Sequence, residues 1–418
     1  MKYNCFENDT YNLYTIETSK FKSCHMEVVF RSEATRENIT YLALLVSLLF
    51  ENSKKYPSKK LLSRKLYDLY NVSLFGTSTR VGDTLLTNAV LDCLDSKYTD
   101  AKTLEESIEL LFEMLLHPNA DEFEFDEVTF DRVKRELTNE IESLKEDPKQ
   151  ASILGAFKEI NENDVRSFNA NGDASILKTI TPRKLYKFYQ NFLETSSRDI
   201  YLIGNLDMKN ADKIIRKYAK FKSITKVSGE IFIPELRFKK AKSVSVPGTS
   251  SQTQLVQVYS LYNLTERERE YVVPLFNMLW GSGSLESKLY KSLRGENSLC
   301  YNVNTFYQKY DRVIILHTAI DDESTTLALK LINKAMMSMR KGIFEDEELD
   351  SVKNILIGSL HMSLDSPARL IDTYVFKNLV NLKDIEERSD AIRSVTAEEV
   401  IAVARKVQLA LTYRVRGE

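Results

Sequence analysis

A chain of 418 residues is too long for one compact core and calls for two to four domains. Its 43% hydrophobic and 28% charged content, with only 13 Gly and 8 Pro, is that of a folded globular protein and excludes long disordered tails. Lys and Arg (58) nearly balance Asp and Glu (60), so the net charge of -2 gives no overall pull toward nucleic acid or an anionic membrane.

The opening stretch, MKYNCFENDTYNLY, lacks the apolar core of a signal peptide. Residues 24–31 alternate as a strand does, and an apolar helix is expected over about 41–50. That is the longest apolar run, Ser47 interrupts it, and it falls well short of the roughly 20 residues a membrane span needs. After the break at Lys54–Pro57, residues 61–72 read as a second helix and 73–94 as strands. Residues 103–116 form an amphipathic helix, with Leu110, Leu111, Met114 and Leu115 on one face, ended by His117-Pro118. A long charged helix over about 124–145 stops at Asp147-Pro148, and another over 181–193 has Thr181 as its cap and Pro182 in its first turn. Residues 198–207 read as a buried strand.

The same order then returns. A strand at 252–260 precedes a helix at 263–281, residues 287–303 echo 62–75, and a strand pair at 307–320 precedes a helix at 324–341. Residues 344–364 parallel 123–144, residues 394–407 parallel 179–192, and 409–417 close the chain as a strand. The offset stays near about 215–230 residues, far longer than a solenoid repeat, so the chain is an internal duplication. It divides into half-domains at 1–222 and 246–418, joined by a linker at 223–245. Arg237, Lys239, Lys240 and Lys242 in that linker read as a solvated face rather than a nucleic-acid patch, since only Phe238 is available to stack. Strands and helices in this order cannot all be parallel crossovers. The fold class is α+β, each half a mixed, mainly antiparallel sheet with helices packed on one face.

Candidate chemistry is sparse. Cys5, Cys24, Cys93 and Cys300 are widely spaced, which points to a reducing cytoplasm and structural thiols. Cys24 and His25 would face opposite sides of a strand, so they do not share a metal. Cys300 has no histidine near it in sequence to activate it as a nucleophile. No two of the four histidines (His25, His117, His317, His361) have the spacing of a helical metal site. Gly281-Ser282-Gly283-Ser284 lacks the lysine and the preceding strand of a phosphate loop. Trp280 and the Leu and Met stripes of 326–338 read as core.

Two strings carry more. Phe50 to Pro57 (FENSKKYP) follows the first apolar helix. Ser287, Leu289, Leu293, Arg294, Leu299 and Tyr301 follow the equivalent helix of the second half. Together with the order of elements, they make the chain resemble the pitrilysin/insulinase family of zinc metallopeptidases over nearly its whole length. Active members carry H-x-x-E-H just before a stretch like F-x-G-T-x-x-Y-P. By that alignment the two histidine ligands fall on Ala43 and Ser47 and the catalytic glutamate on Val46. Alanine and valine offer zinc no donor, and serine is a poor one. The third ligand would fall on Glu140, a lone carboxylate. In the other half, S-x-L-x-x-x-L-R-x-x-x-x-L-x-Y is matched at every fixed position, and the resemblance gives Arg294 and Tyr301 contact with the substrate backbone and oxyanion. Both are donors suited to developing negative charge. The resemblance therefore implies a cytoplasmic, non-catalytic subunit that binds peptide. Zinc would sit on a zinc-motif-bearing partner subunit in a heterodimer, with no metal or cofactor on this chain. The alternatives it leaves open are a peptide-binding scaffold that reuses the fold and, third, a self-sufficient peptidase.

Overall fold

A computed structural model describes residues 2–222, 231–281 and 285–417. The residues at 223–230 of the expected linker and Ser282, Gly283 and Ser284 of the glycine-serine turn lie outside the described residues. Strands β1 (Lys2–Glu7), β2 (Asn12–Glu17) and β3 (Ser23–Glu33) lead into helices α1 (Arg36–Leu49) and α2 (Lys59–Asp68). Next come β4 (Ser73–Val81), β5 (Thr84–Leu94), α3 (Thr103–Leu116), the short ladder β6 (Ala120–Asp121) and β7 (Glu124–Phe125), α4 (Glu127–Glu146) and α5 (Pro148–Asn161). Helices α6 (Ala174–Thr179) and α7 (Pro182–Thr195), strand β8 (Ser197–Gly204) and α8 (Met208–Tyr218) follow. The second run is β9 (Lys242–Pro247), β10 (Thr253–Leu261), α9 (Val273–Trp280), β11 (Val303–Gln308), β12 (Val313–Ile320), α10 (Thr325–Arg340), α11 (Asp346–Ser363), α12 (Pro367–Val380), α13 (Ile385–Arg393), α14 (Ala397–Lys406) and β13 (Val407–Arg416).

Helix starts follow from side-chain caps. Thr35 accepts a hydrogen bond from the Asn38 N–H and opens α1 several residues before the apolar run. Asp147 accepts from the N–H groups of Lys149 and Gln150 with Pro148 at the first helical position, and Thr181 with Pro182 opens α7 in the same way. His117 is the C-cap of α3.

Two compact units result. The first comprises Met1–Ser143, Asn169–Ile231 and Ser366–Val375. Its six-stranded sheet has the order β1-β2-β8-β3-β5-β4, antiparallel throughout except for the parallel pair β2–β8. One face of β3 is buried against helices, with Phe30 meeting Phe192 of α7 at 5.0 Å between ring centroids. The opposite face carries His25, Glu27 and Arg31, at the even spacings that strand alternation requires. The turn between β4 and β5 needs Gly82: its φ is +60°, and a Cβ there would meet the Ile231 carbonyl oxygen at 1.6 Å.

The second unit comprises Leu144–Phe168, Phe232–Asp365 and Phe376–Glu418. Its five-stranded sheet has the order β11-β12-β10-β13-β9, with only β13–β9 parallel. Leu255, Tyr259 and Leu261 face a helical core in which Trp280 packs between Tyr259 and Phe276 at 5.1 and 5.8 Å. Val256, Val258, Val313 and Ile315 face the other way and are covered by Ala156 and Phe157 of α5. The α+β class, with two mixed, mainly antiparallel sheets, is thus what the duplication implied. The units themselves are not continuous stretches: α5 closes the second unit from within 1–222, and residues 366–375 close the first from within 246–418. The segment 231–236 is not a bare linker either. Ile231, Ile233 and Leu236 are buried, and the Arg166 guanidinium donates to the Pro234 and Asp311 carbonyls. Arg237, Lys239, Lys240 and Lys242 are exposed.

Candidate functional site

In the first unit, α1 carries the positions that the resemblance equates with a zinc motif. Ala43 is half-buried, Val46 is buried, and Ser47 faces solvent with its hydroxyl donating to the Ala43 carbonyl at 3.0 Å. The helix lies directly on the edge strand β4. A Cβ at Gly76 would come within 2.9 Å of the Val46 Cβ and 2.8 Å of Phe50 Cε2, so Gly76 is what lets helix and strand approach. The Phe50–Pro57 stretch forms the turn that ends α1. Ser53 is fully buried there, donating to Glu113 Oε1 at 2.9 Å and accepting from the Tyr56 N–H. Glu140 is exposed on α4. A methyl group, an isopropyl group and a hydroxyl already satisfied by its own helix cannot hold Zn²⁺. Among the described residues, no group of three or more His, Cys, Asp or Glu is placed to hold a metal ion.

In the second unit, the matched string folds into a compact device. Ser287, Leu289 and Leu293 are buried and anchor a one-turn π-helix, Tyr290–Gly295. Gly281 permits the approach of Leu289 and Thr305, since a Cβ there would meet them at 2.6 and 2.5 Å. After the π-turn, Ser298 adopts φ +50°, and the Leu299 N–H bonds back to the Leu293 carbonyl at 2.8 Å. That reversal returns Tyr301 over Arg294. The guanidinium carbon sits 4.5 Å from the centroid of the Tyr301 ring and 5.2 Å from that of Tyr290. Such stacking holds the planar guanidinium while leaving its N–H edges free to donate. Tyr301 is 77% exposed, unusual for so large a side chain. Cys300, between them, is buried. Burial pushes its thiol up, against a hydrogen bond with Thr318 and the charge of Arg294 that pull it down. That is the reverse of an activated nucleophile.

One cluster escaped the sequence reading. His25 and Cys24 do face opposite sides of β3, but His25 has partners in space. Its Nδ1 lies 2.6 Å from Asp92 Oδ1 and its Nε2 lies 2.8 Å from Glu27 Oε1. Asn88 donates to the other Glu27 oxygen at 2.7 Å. Burial alone would push the imidazole down, but the bonds it donates to Asp92 and Glu27 outweigh it and lift His25 to about 9. Asp372 of α12, partly desolvated and near Glu27, is pushed up to about 6. The only available signal was strand register, which a single sequence does not print.

Residues 179–356 match the family described as Peptidase M16 inactive domain. A *Bacillus subtilis* protein described as probable inactive metalloprotease YmfF is 24% identical over 408 residues, covering 97% of this chain and 95% of that protein. The chain is thus similar to peptidase M16 proteins, the pitrilysin-like peptidases, with residues 179–356 carrying the family match. Solved structures agree on the fold. A conserved protein of *Enterococcus faecalis* V583 superposes with a TM-score of 0.93 at 24% identity, covering 100% of this chain and 99% of the other. A peptidase M16 inactive domain of *Pseudomonas fluorescens* superposes with a TM-score of 0.80 at 18% identity, covering 100% and 98%. The Bacillus subtilis protein and the Pseudomonas fluorescens domain are described as inactive.

Proposed function

We propose that this chain is the non-catalytic subunit of a two-chain peptidase. It binds peptide and presents Arg294 and Tyr301 to the active centre of a zinc-motif-bearing partner of the same family. The observation that carries the proposal is the asymmetry between the halves. The metal-site positions are apolar or self-satisfied, whereas the Arg294–Tyr301 pair is built on a buried anchor and left facing solvent. A half-buried arginine stacked on an exposed tyrosine adds little to stability, about 0.5–1 kcal/mol. Such an arrangement is better accounted for by a ligand carbonyl than by the fold. Peptide would enter by strand addition, which needs a free sheet edge. Strand β4 and strand β11 are each terminal in their sheets. In the proposed complex the partner supplies the metal, and this chain's part is to orient the peptide and donate hydrogen bonds to its carbonyl oxygens.

The test is reconstitution. Purified chain is mixed with a family member that carries H-x-x-E-H, and cleavage of a quenched fluorescent peptide is followed. Activity is expected only in the mixture. Arg294→Ala and Tyr301→Phe should each lower it roughly 100-fold or more, the scale of losing one donor to a developing oxyanion. Circular dichroism checks that both variants stay folded. Unchanged activity in both variants would sink the assignment. Peptide binding with no cleavage in any mixture would point instead to a scaffold that reuses the fold.

A further inference from the structure

The four cysteines are not equivalent. Cys24 and Cys93 are direct partners in the antiparallel register of β3 and β5, and both are almost fully buried at 1% and 4% exposure. Directly opposite residues in an antiparallel pair have Cα atoms about 4.5 or 5.5 Å apart, according to the type of pair. Both values fall inside the roughly 4.4–6.8 Å window that a disulfide spans. The neighbouring Cys24 side chain helps push the Cys93 thiol up, as a close partner would. On the far side of Cys24 the neighbouring strand β8 ends at Gly204, where even a Cβ would come within 2.7 Å of the Cys24 sulfur. The sulfur is thus confined between a bare glycine backbone and the partner thiol. The pair also lies one residue from the end of both strands, next to the Ser23–Leu94 pair, where Leu94 is exposed and fraying is easiest.

From this register, burial and confinement we infer that Cys24 and Cys93 form an oxidation site: a peroxide-class oxidant closes them into a reversible cross-strand disulfide within the first unit. One thiolate attacks the peroxide O–O bond, giving a sulfenic acid and releasing water. The second thiolate attacks that sulfur, the S–S bond forms, and hydroxide leaves to be protonated. Two thiols lose two protons and two electrons, and hydrogen peroxide becomes two waters. The Cys24 side chain and burial push the Cys93 thiol up, so closure is slow in the resting fold and proceeds as the strand ends open. Cys5, exposed on β1, has no facing thiol in that strand pair, and Cys300 lies in the other unit, so neither competes for the same bond. The bond would tie β3 to β5 beside the His25–Asp92 pair and close the chain between residues 24 and 93. That constrains the unfolded chain more than the folded one.

The full-length chain is treated with hydrogen peroxide, blocked with maleimide in denaturant, digested without reduction and mapped by mass spectrometry. The expected result is a cross-linked peptide containing Cys24 and Cys93, with both thiols recovered after dithiothreitol. The oxidised chain should also melt a few degrees higher than the reduced one. Cys93→Ser should lose both signals. Should that variant not fold, the wild-type peptide map decides alone. Recovery of Cys24 and Cys93 as maleimide adducts after a treatment that has oxidised Cys5 would overturn the inference. So would finding either of them only in a bond between two copies of the chain.

Discussion

Replacing His25 with Gln keeps a side chain able to bond Asp92 and Glu27 but removes the charge. The structure sets the size of the effect. An imidazole that titrates near 6.5 in the unfolded chain titrates near 9 in the fold. The difference is worth about 3 kcal/mol, or about 2–3 kcal/mol once solvent around the part-exposed Asp92 is allowed for. The folded value is the raised one. The charged imidazole therefore contributes in full below about pH 6.5, and the contribution is lost as pH rises through about 9. The assay is urea unfolding of the wild-type and His25→Gln chains at intervals from pH 6 to 9.5, followed by a probe in the first unit. Wild type should lose about 2–3 kcal/mol more than the variant across that range. Asp372, whose raised carboxyl titrates through about pH 6 and which feels the charge of His25, affects only the acid end of the range, so the difference is read from about pH 7 upward. Parallel pH profiles for the two chains would refute the account of His25 as a buried imidazolium.

Three further outcomes follow from the packing and the site. Gly76→Val should cost about 1–3 kcal/mol in chemical denaturation, because the new side chain enters space held by Val46 and Phe50. Arg166→Ala removes the 5%-exposed guanidinium that ties Asp164 to the Pro234 and Asp311 carbonyls. It should lower stability by about 3–5 kcal/mol, read as an earlier urea midpoint. Adding a zinc chelator to the isolated chain should leave its melting temperature unchanged within about 1 °C. A drop of several degrees would mean that the chain carries a stabilising metal after all.

What the sequence disclosed tracks how locally each feature is determined. Helix α3 was legible to the residue, since a periodic stripe ends at His117-Pro118, and the duplication was legible because whole strings recur. The start of α1 was not, because Thr35 caps a first turn that is polar and lies ahead of the apolar run. Strand β1 is exposed on both faces and shows no alternation to read. Helix α5 buries only Ser152, Ala156 and Phe157, too narrow a stripe to stand out. The turn at Tyr290–Gly295 is a π-helix, a shape that no composition signals, though the string marks Arg294 within it and Tyr301 beyond it. His25 with Asp92, and Cys24 with Cys93, depend on register across strands joined by a long excursion. That is set by tertiary packing rather than by any local pattern.

The exchange of segments between the two units has a consequence for how such a chain can be cut. A break placed between residues 222 and 245, where the duplication itself divides, would leave each piece without a segment its own sheet needs. The first piece would keep α5 but lose residues 366–375, and the second the reverse. Neither piece is then a domain in the sense of a stretch that folds by itself. Expressed together, the two would behave as a complementing pair, each finishing the other. That arrangement resists shuffling: the halves of this duplicated chain can diverge in sequence, as the motifs have done, but they cannot be parted and traded one at a time.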